Sequence, residues 1–340
     1  MKTNITYSLL AAAAACSLAN AQTTAYTTPV GYVSLGGTQF MQPAVDAETD
    51  QTISLPLKNA AVFSGEAASS SSTSISFSGT PFSNLELVAT PHIVEVTSGP
   101  KAGLQGLVTA ATSSALTIAP SDSSGDFSSI GAASVAVRPA FTVAGLMANS
   151  NPPAGTQFLA YTGTASGINV PNDIILEWDG ANWIDIVNTG EAADNTVLYN
   201  GESFIVRNPT QTPITELVIA GEVITNKLQL ELVNIDSNAD QDIPMAYNST
   251  VPETVAASGI TALANPGDQI IITDASIAGI FKSASVLLEF DGADWIDIVN
   301  TGEAAQNTTL IGGGIGFTYQ RKATSNPTVW TQNPSYISSL

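Results

Sequence analysis

The chain has 340 residues, with 29 acidic against 9 basic side chains, one histidine, one cysteine and a net charge of −20. That length supports two or three domains with proper cores. The charge excludes nucleic acid and anionic membrane surfaces as partners, because both rely on clustered Lys and Arg, and a lone His and Cys leave no donor set for a classical zinc site.

The first element is a leader. Met1-Lys2 opens it, Tyr7 to Leu18 is rich in Ala and Leu, and Ala19-Asn20-Ala21 forms a small-x-small cleavage site before Gln22, as in a secretory signal peptide. The apolar run is too short for a transmembrane helix. Cys16 would be a lipid-attachment site in a bacterial lipoprotein, but Ala13-Ala14-Ala15 before it lacks the large aliphatic residue such sites carry. Cleavage after Ala21 removes the only cysteine and one lysine, so the net charge passes from −20 to −21 and no disulfide or thiol chemistry remains. Export places the protein at the cell surface, in the periplasm or outside the cell.

Strand signals dominate the chain beyond the leader: short runs of Val, Ile, Thr and aromatics are cut by Gly, Pro, Asn, Asp and Ser about every ten residues. Residues 22–140 read as a small, barrel-like β domain. Within it the Ser69 to Ser74 run is a flexible turn by composition. His92 to Val96, the turn Ser98 to Gly103 and Leu104 to Val108 read as strand, turn, strand, and Ala115 to Ile118 as a further strand. His92 sits in a strand pattern and is a structural histidine rather than a triad base. No window of helical length keeps a 3.6 period, and the nearest short candidate is Ile277 to Lys282.

Asp179 to Thr196 and Asp291 to Thr308 are nearly the same eighteen residues, differing only at Asn182/Asp294 and Asp194/Gln306. The 112-residue offset extends outward, matching Thr142-Val143-Ala144 with Thr254-Val255-Ala256 and Gly155 with Gly267; one inserted residue then brings Phe204 onto Phe317, with Arg207 and Arg321 shortly after. The pattern predicts two repeated β-sandwich-like modules, 141–253 with trailing strands and 254–340. Asp-Gly between two strand-like runs marks a hairpin of the type I′ kind. Trp178 pairs with Ala181 across two loop residues or with Trp183 across four. In either register Ile174, Leu176, Trp178, Trp183, Asp185 and Val187 share one face, and Ile175, Glu177, Ile184 and Ile186 the other. Both faces are largely apolar, which predicts packing on both sides. The aromatic pairs are core or a sugar-stacking platform. In the second case Trp178, Trp183, Asp185, Phe290, Trp295 and Asp297 are the ligand-binding residues. Each mismatch exchanges a carboxylate for an amide, so acid chemistry common to both copies would fall to Glu177, Asp179, Asp185 or Glu191.

Asp236, Asn238, Asp240 and Asp242 set oxygen side chains at alternate positions, the opening spacing of a calcium loop, though Gln241 replaces the turn glycine and Tyr247 stands where the bidentate Glu belongs. The default reading is a solvated acidic turn; in the alternative these four are the candidate calcium ligands, with help from elsewhere in the chain. No GxSxG elbow, Walker loop or dinucleotide fingerprint is present, and Gly312-Gly313-Gly314 reads as a bulge or loop.

TTPVGYVSL after the leader, the TSGPKAGLQGLV hairpin, and the WDGxxW hairpin leading to Gly-x-x-Phe and Arg together resemble an uncharacterised family of secreted proteins found as many paralogues in Verrucomicrobiota. The likeness covers essentially the whole chain and implies export from a diderm bacterium; no activity comes with it. The expected protein is all-β and non-catalytic, with an adhesive, matrix or glycan-contact role and polysaccharide or self-association as its partner. A polysaccharide-active enzyme with a carboxylate pair is the alternative.

Overall fold

The computed structural model describes residues 29–36, 44–121, 125–161, 163–274 and 277–339, and these are nearly all strand and turn. The expected leader, Met1 to Ala21, lies outside the described residues. Among them no helix is long and apolar enough to cross a membrane.

Strands Phe63–Glu66 through Ser134–Pro139 form one seven-stranded sheet. Its two edge strands, Phe63–Glu66 and Ser69–Ser71, are joined by only Ala67 and Ala68. Seven strands laid flat would hold those edges roughly 29 Å apart at about 4.8 Å per strand, far beyond the reach of two residues. The sheet therefore curls on itself around Phe77, Val94, Leu116, Phe127 and Val137. The serine run is not a loose turn. Ser69–Ser71 pairs with Ser74–Ser76, Ser71 Oγ meets Ser74 Oγ at 2.7 Å, and Ile75 is fully buried, which pins the register. His92 stands in strand His92–Val96 with Nδ1 2.7 Å from the Thr90 carbonyl.

The strand partners group the rest of the chain across the expected boundaries at 140 and 253. Thr49–Ser54 pairs with Ser203–Asn208 and so joins a five-stranded sheet completed by Gln157–Ala160, Ile174–Trp178 and Trp183–Asp185. Val30–Gly36 and Leu57–Lys58 flank Glu216–Val223 in a second sheet, and one core lies between the two, built from Ile53, Leu57, Phe158, Trp183, Phe204 and Ile219. The curled sheet is thus an insertion between Lys58 and Phe141 of this first module. Gln241–Ala246 pairs with Gly316–Arg321 in a five-stranded sheet of the same order, and Leu228–Leu232 with Thr328–Gln332 covers it. The helical candidate Ile277 to Lys282 is irregular; among the described residues the helical turns are Val143–Met147, capped by the Thr142 side chain, Ile260–Leu263 and Ser335–Ser339.

The modules clasp each other reciprocally. Asp50 N donates to the Gly279 carbonyl and Asp242 N to that of Gly167 (2.9 and 3.0 Å); Phe281 N donates to the Asp50 carboxylate and Asn169 N to that of Asp242 (3.0 and 2.7 Å). Ser54 N donates to Gly314 O as Ala246 N does to Gly201 O. A contact made in both directions between equivalent positions is the mark of a two-fold arrangement. At its centre a Cβ on Gly316 would lie 2.4 Å from that of Ser203, its own equivalent, so only glycine permits the approach. One difference breaks the symmetry. Arg207 grips Asp50 in two hydrogen bonds of 2.7 and 2.9 Å beneath the Phe281 ring, whereas neutral Gln320 holds Asp242 in one of 3.0 Å. Asp50→Ala is therefore expected to cost about 2–3 kcal/mol, below the full penalty of a deeply buried ion pair, and Asp242→Ala about 1 kcal/mol. Urea denaturation of both variants checks this, and equal losses would contradict it.

Candidate functional site

Trp178 lies opposite Trp183 and Phe290 opposite Trp295, so each repeated hairpin has the four-residue loop. Within the Asp179–Asn182 loop only Gly180 takes positive φ, at 102°, which rules out type I′, where both central residues need it. Asp179 instead braces the loop with its side chain, accepting from Ala181 N at 2.7 Å and Asn182 N at 2.8 Å, and Asp291 does the same at 2.8 Å for both. Asp185 accepts from Val187 N and Asn188 N (3.1 and 3.0 Å) and turns the chain away from the sheet. Residues 186–193 then fold back along the outer strand, with Asp185 N donating to Glu191 O and Ala193 N to Trp183 O. The repeated words thus encode a hairpin together with the cover for its own exposed edge, a common defence against strand-to-strand aggregation.

That fold-back corrects the expected two-sided packing. Leu176 and Trp183 enter the core, but Ile186, Val187, Ile298 and Val299 are exposed, because the strand ends at Asp185 or Asp297 before they could join either face. The two mismatches are also explained. Asp194 Oδ1 accepts from Trp183 N at 3.0 Å, and Gln306 Oε1 accepts from Trp295 N at 3.1 Å, so either an acid or an amide supplies the one oxygen required. Gln306 Nε2 in turn donates to Asp294, the other mismatched residue, so in the second copy the two positions touch.

These carboxylates are bound to backbone donors. The Asn182 N–H, with that of Ala181, holds Asp179 below the ordinary carboxyl range, and the Asp294 and Ala293 N–H groups do the same for Asp291. The Asn188 N–H lowers Asp185 against a desolvation cost. At Asp297 burial is the largest influence and raises the pKa, but hydrogen bonds from Asn300 and Val299 together outweigh it and the net shift is downward. Such groups stay ionised at neutral pH and accept hydrogen bonds, whereas a glycosidase acid needs its pKa raised.

The six candidate ligand residues do not form one platform. Trp183 and Trp295 are 1% and 0% exposed, Phe290 is 6% exposed, and Asp297 is buried. Trp178 alone of the aromatics is half-buried, and it lines an open groove of about 500 Å³ together with Met147, Asn151, Pro152, Gly180 and Asp194. The second copy differs for a local reason. Leu263, 112 residues after Asn151, packs against the core that holds Phe290, whereas Asn151 takes φ 45° and offers a short polar side chain. Asn151, Met147 and Pro152 belong to no motif, although the gapless offset already sets a polar residue against Leu263.

The acidic turn does not gather its oxygens. Asp236 accepts from Asn238 N at 2.9 Å, Asp240 pairs with Lys322 at 2.8 Å, and Asp242 is held by Asn169 N and Gln320 in the clasp. Three separate sets of partners keep these side chains apart, and among the described residues no cluster of three or more His, Cys, Asp or Glu is placed to hold a metal ion. The chain matches no family model, no curated protein and no solved structure.

Proposed function

We propose that this is an exported, non-catalytic β protein that acts by contact with glycan, and that the groove at Trp178 is its contact point. Trp178 carries the proposal: it is the half-buried member of otherwise buried aromatic pairs, and it lies on an open groove with Asn151 and Asp194 at hand as polar partners. An indole face on a groove with a few polar groups suits the apolar face and hydroxyl rim of a sugar ring. The repeated aspartates Asp179, Asp185, Asp291 and Asp297 bind backbone N–H groups, which weighs against their serving as the carboxylate pair of an enzyme. Trp178→Ala is expected to weaken retention on a polysaccharide identified by glycan array about tenfold or more, because alanine offers the sugar ring far less apolar surface to cover. Its circular dichroism spectrum should stay that of the parent. Retention unchanged in Trp178→Ala would remove the groove as the contact point.

A further inference from the structure

The two hairpin tryptophans differ in what their indole N–H groups meet. In the second copy Trp295 Nε1 donates to Thr261 Oγ1 at 3.1 Å, on the turn Ile260–Leu263. The 112-residue offset sets Asn149 against Thr261, and Ala148 to Asn151 against that turn. In the first copy Ala148 and Asn151 are walls of the Trp178 groove, and Trp183 lines the groove with them. The Trp183 backbone N–H is held by Asp194 at 3.0 Å, but its indole N–H reaches no acceptor among the described residues. The Trp183 ring is core, at 1% exposure, and a donor on so buried a residue calls for a partner from water or a ligand.

The rest of the groove specifies what that partner carries. Asp194 gives one oxygen to Trp183 N, and its other oxygen has no partner among the described residues. In the closed copy Gln306 stands at this position with its amide bound to Asp294. The groove thus offers one indole donor and one carboxylate acceptor, with Ala144, Met147 and Pro152 as apolar wall. No lysine, arginine or histidine is among the described residues that line it, so an acidic sugar would be repelled by Asp194 and by the net charge of −20. A secondary acetamide matches each part: its carbonyl accepts from the indole, its N–H donates to the carboxylate, and its methyl group covers the apolar wall. A hydroxyl in its place brings no methyl group.

We infer that the groove takes an N-acetylated amino sugar, its acetamido group seated on Trp183 Nε1 and Asp194 while a sugar ring lies on Trp178. This names the sugar class within the glycan-contact reading and rests on that reading. The test is isothermal titration of the full chain with triacetylchitotriose, alongside cellotriose and the glucosamine trimer, which carry hydroxyl or ammonium in place of acetamide. The acetylated trimer is expected to bind at least about tenfold more tightly than either match. Trp183→Phe keeps an aromatic ring in the core without the N–H; it should weaken the acetylated trimer about three- to tenfold and leave cellotriose unchanged. Trp295→Phe, the same change in the closed copy, should alter neither. Absence of binding, equal or tighter binding of either match, parental affinity in Trp183→Phe, or an equal loss in Trp295→Phe would each overturn the assignment. Cellotriose bound equally well, and lost in Trp178→Ala, would remove the acetamide and leave the glycan groove standing. No trimer bound, with polysaccharide retention unchanged in Trp178→Ala, would remove both. Circular dichroism of every variant establishes that it is folded, and the comparison of trimers on the parent stands without any variant.

Discussion

Trp295→Ala is expected to destabilise the protein by about 3–5 kcal/mol, the range for truncating a fully buried large aromatic. Trp295 is completely buried, with Phe290 and Tyr319 at ring-centroid distances of 5.3 and 6.3 Å. Its indole N–H also donates to Thr261 Oγ1 at 3.1 Å, which ties the turn Ile260–Leu263 to the sheet. Alanine would leave a cavity between three strands and an unpaired hydroxyl on that turn. Trp183→Ala should fall in the same range, since Trp183 is 1% exposed and packs on Phe158 and Trp178. Chemical denaturation followed by circular dichroism measures both. Parental stability in either variant, with glycan retention abolished, would make that tryptophan a ligand-binding residue rather than core.

The second large effect belongs to the seam between the curled sheet and the first module. Glu95, in strand His92–Val96, is buried against Lys58 of strand Leu57–Lys58, and its other oxygen lies 3.4 Å from Arg138 Nε. Arg138 also pairs with Glu222 and donates to the Asn59 carbonyl at 2.8 Å. Glu95→Ala would strand the Lys58 ammonium, whose side chain is only 7% exposed. Breaking such a pair by removing one partner costs about 3–5 kcal/mol, because the survivor keeps its desolvation penalty. The double variant Lys58→Met with Glu95→Leu is expected to regain much of that loss, since it removes both charges and preserves volume. Urea denaturation of the single and double variants decides the matter: if the double variant is no more stable than Glu95→Ala, desolvation of Lys58 is not the source of the loss.

The seam has a second part further along the chain. Gln229 N donates to Gly103 O at 3.0 Å, and Gly103 takes φ +102° with its Cα so close to strand Leu228–Leu232 that a Cβ would lie 2.8 Å from Gln229 N. The hairpin written TSGPKAGLQGLV, visible as a turn from its Ser, Gly and Pro, is therefore also the piece by which the inserted sheet reaches the second module. Its turn chemistry is local and legible. Its docking partner lies more than a hundred residues away and leaves no local trace.

That contrast runs through the whole chain. Alternation, turn residues and the duplicated hairpin words specify an all-β protein, the strand at His92 and the parity of the hairpin faces, because these depend on side chains a few residues apart. The aromatic pairs Trp178–Trp183 and Phe290–Trp295 are equally legible, since cross-strand neighbours follow from register. Three matters were settled only by tertiary contact. Thr49–Ser54 and Gln241–Ala246 occupy the same place in their sheets while sharing only the clasp aspartate, Asp50 or Asp242, because the rest of an edge strand needs a register and an apolar face rather than particular residues. The hairpin's second face is partly solvated, because the fold-back at Asp185 ends the strand where periodicity alone would continue it. The duplicate copies also separate into a closed core and an open groove through Leu263 and Asn151. Leu263 packs against the buried cluster that contains Phe290, whereas Asn151 lines the groove beside Trp178, and that depends on three-dimensional packing, which local pattern does not encode.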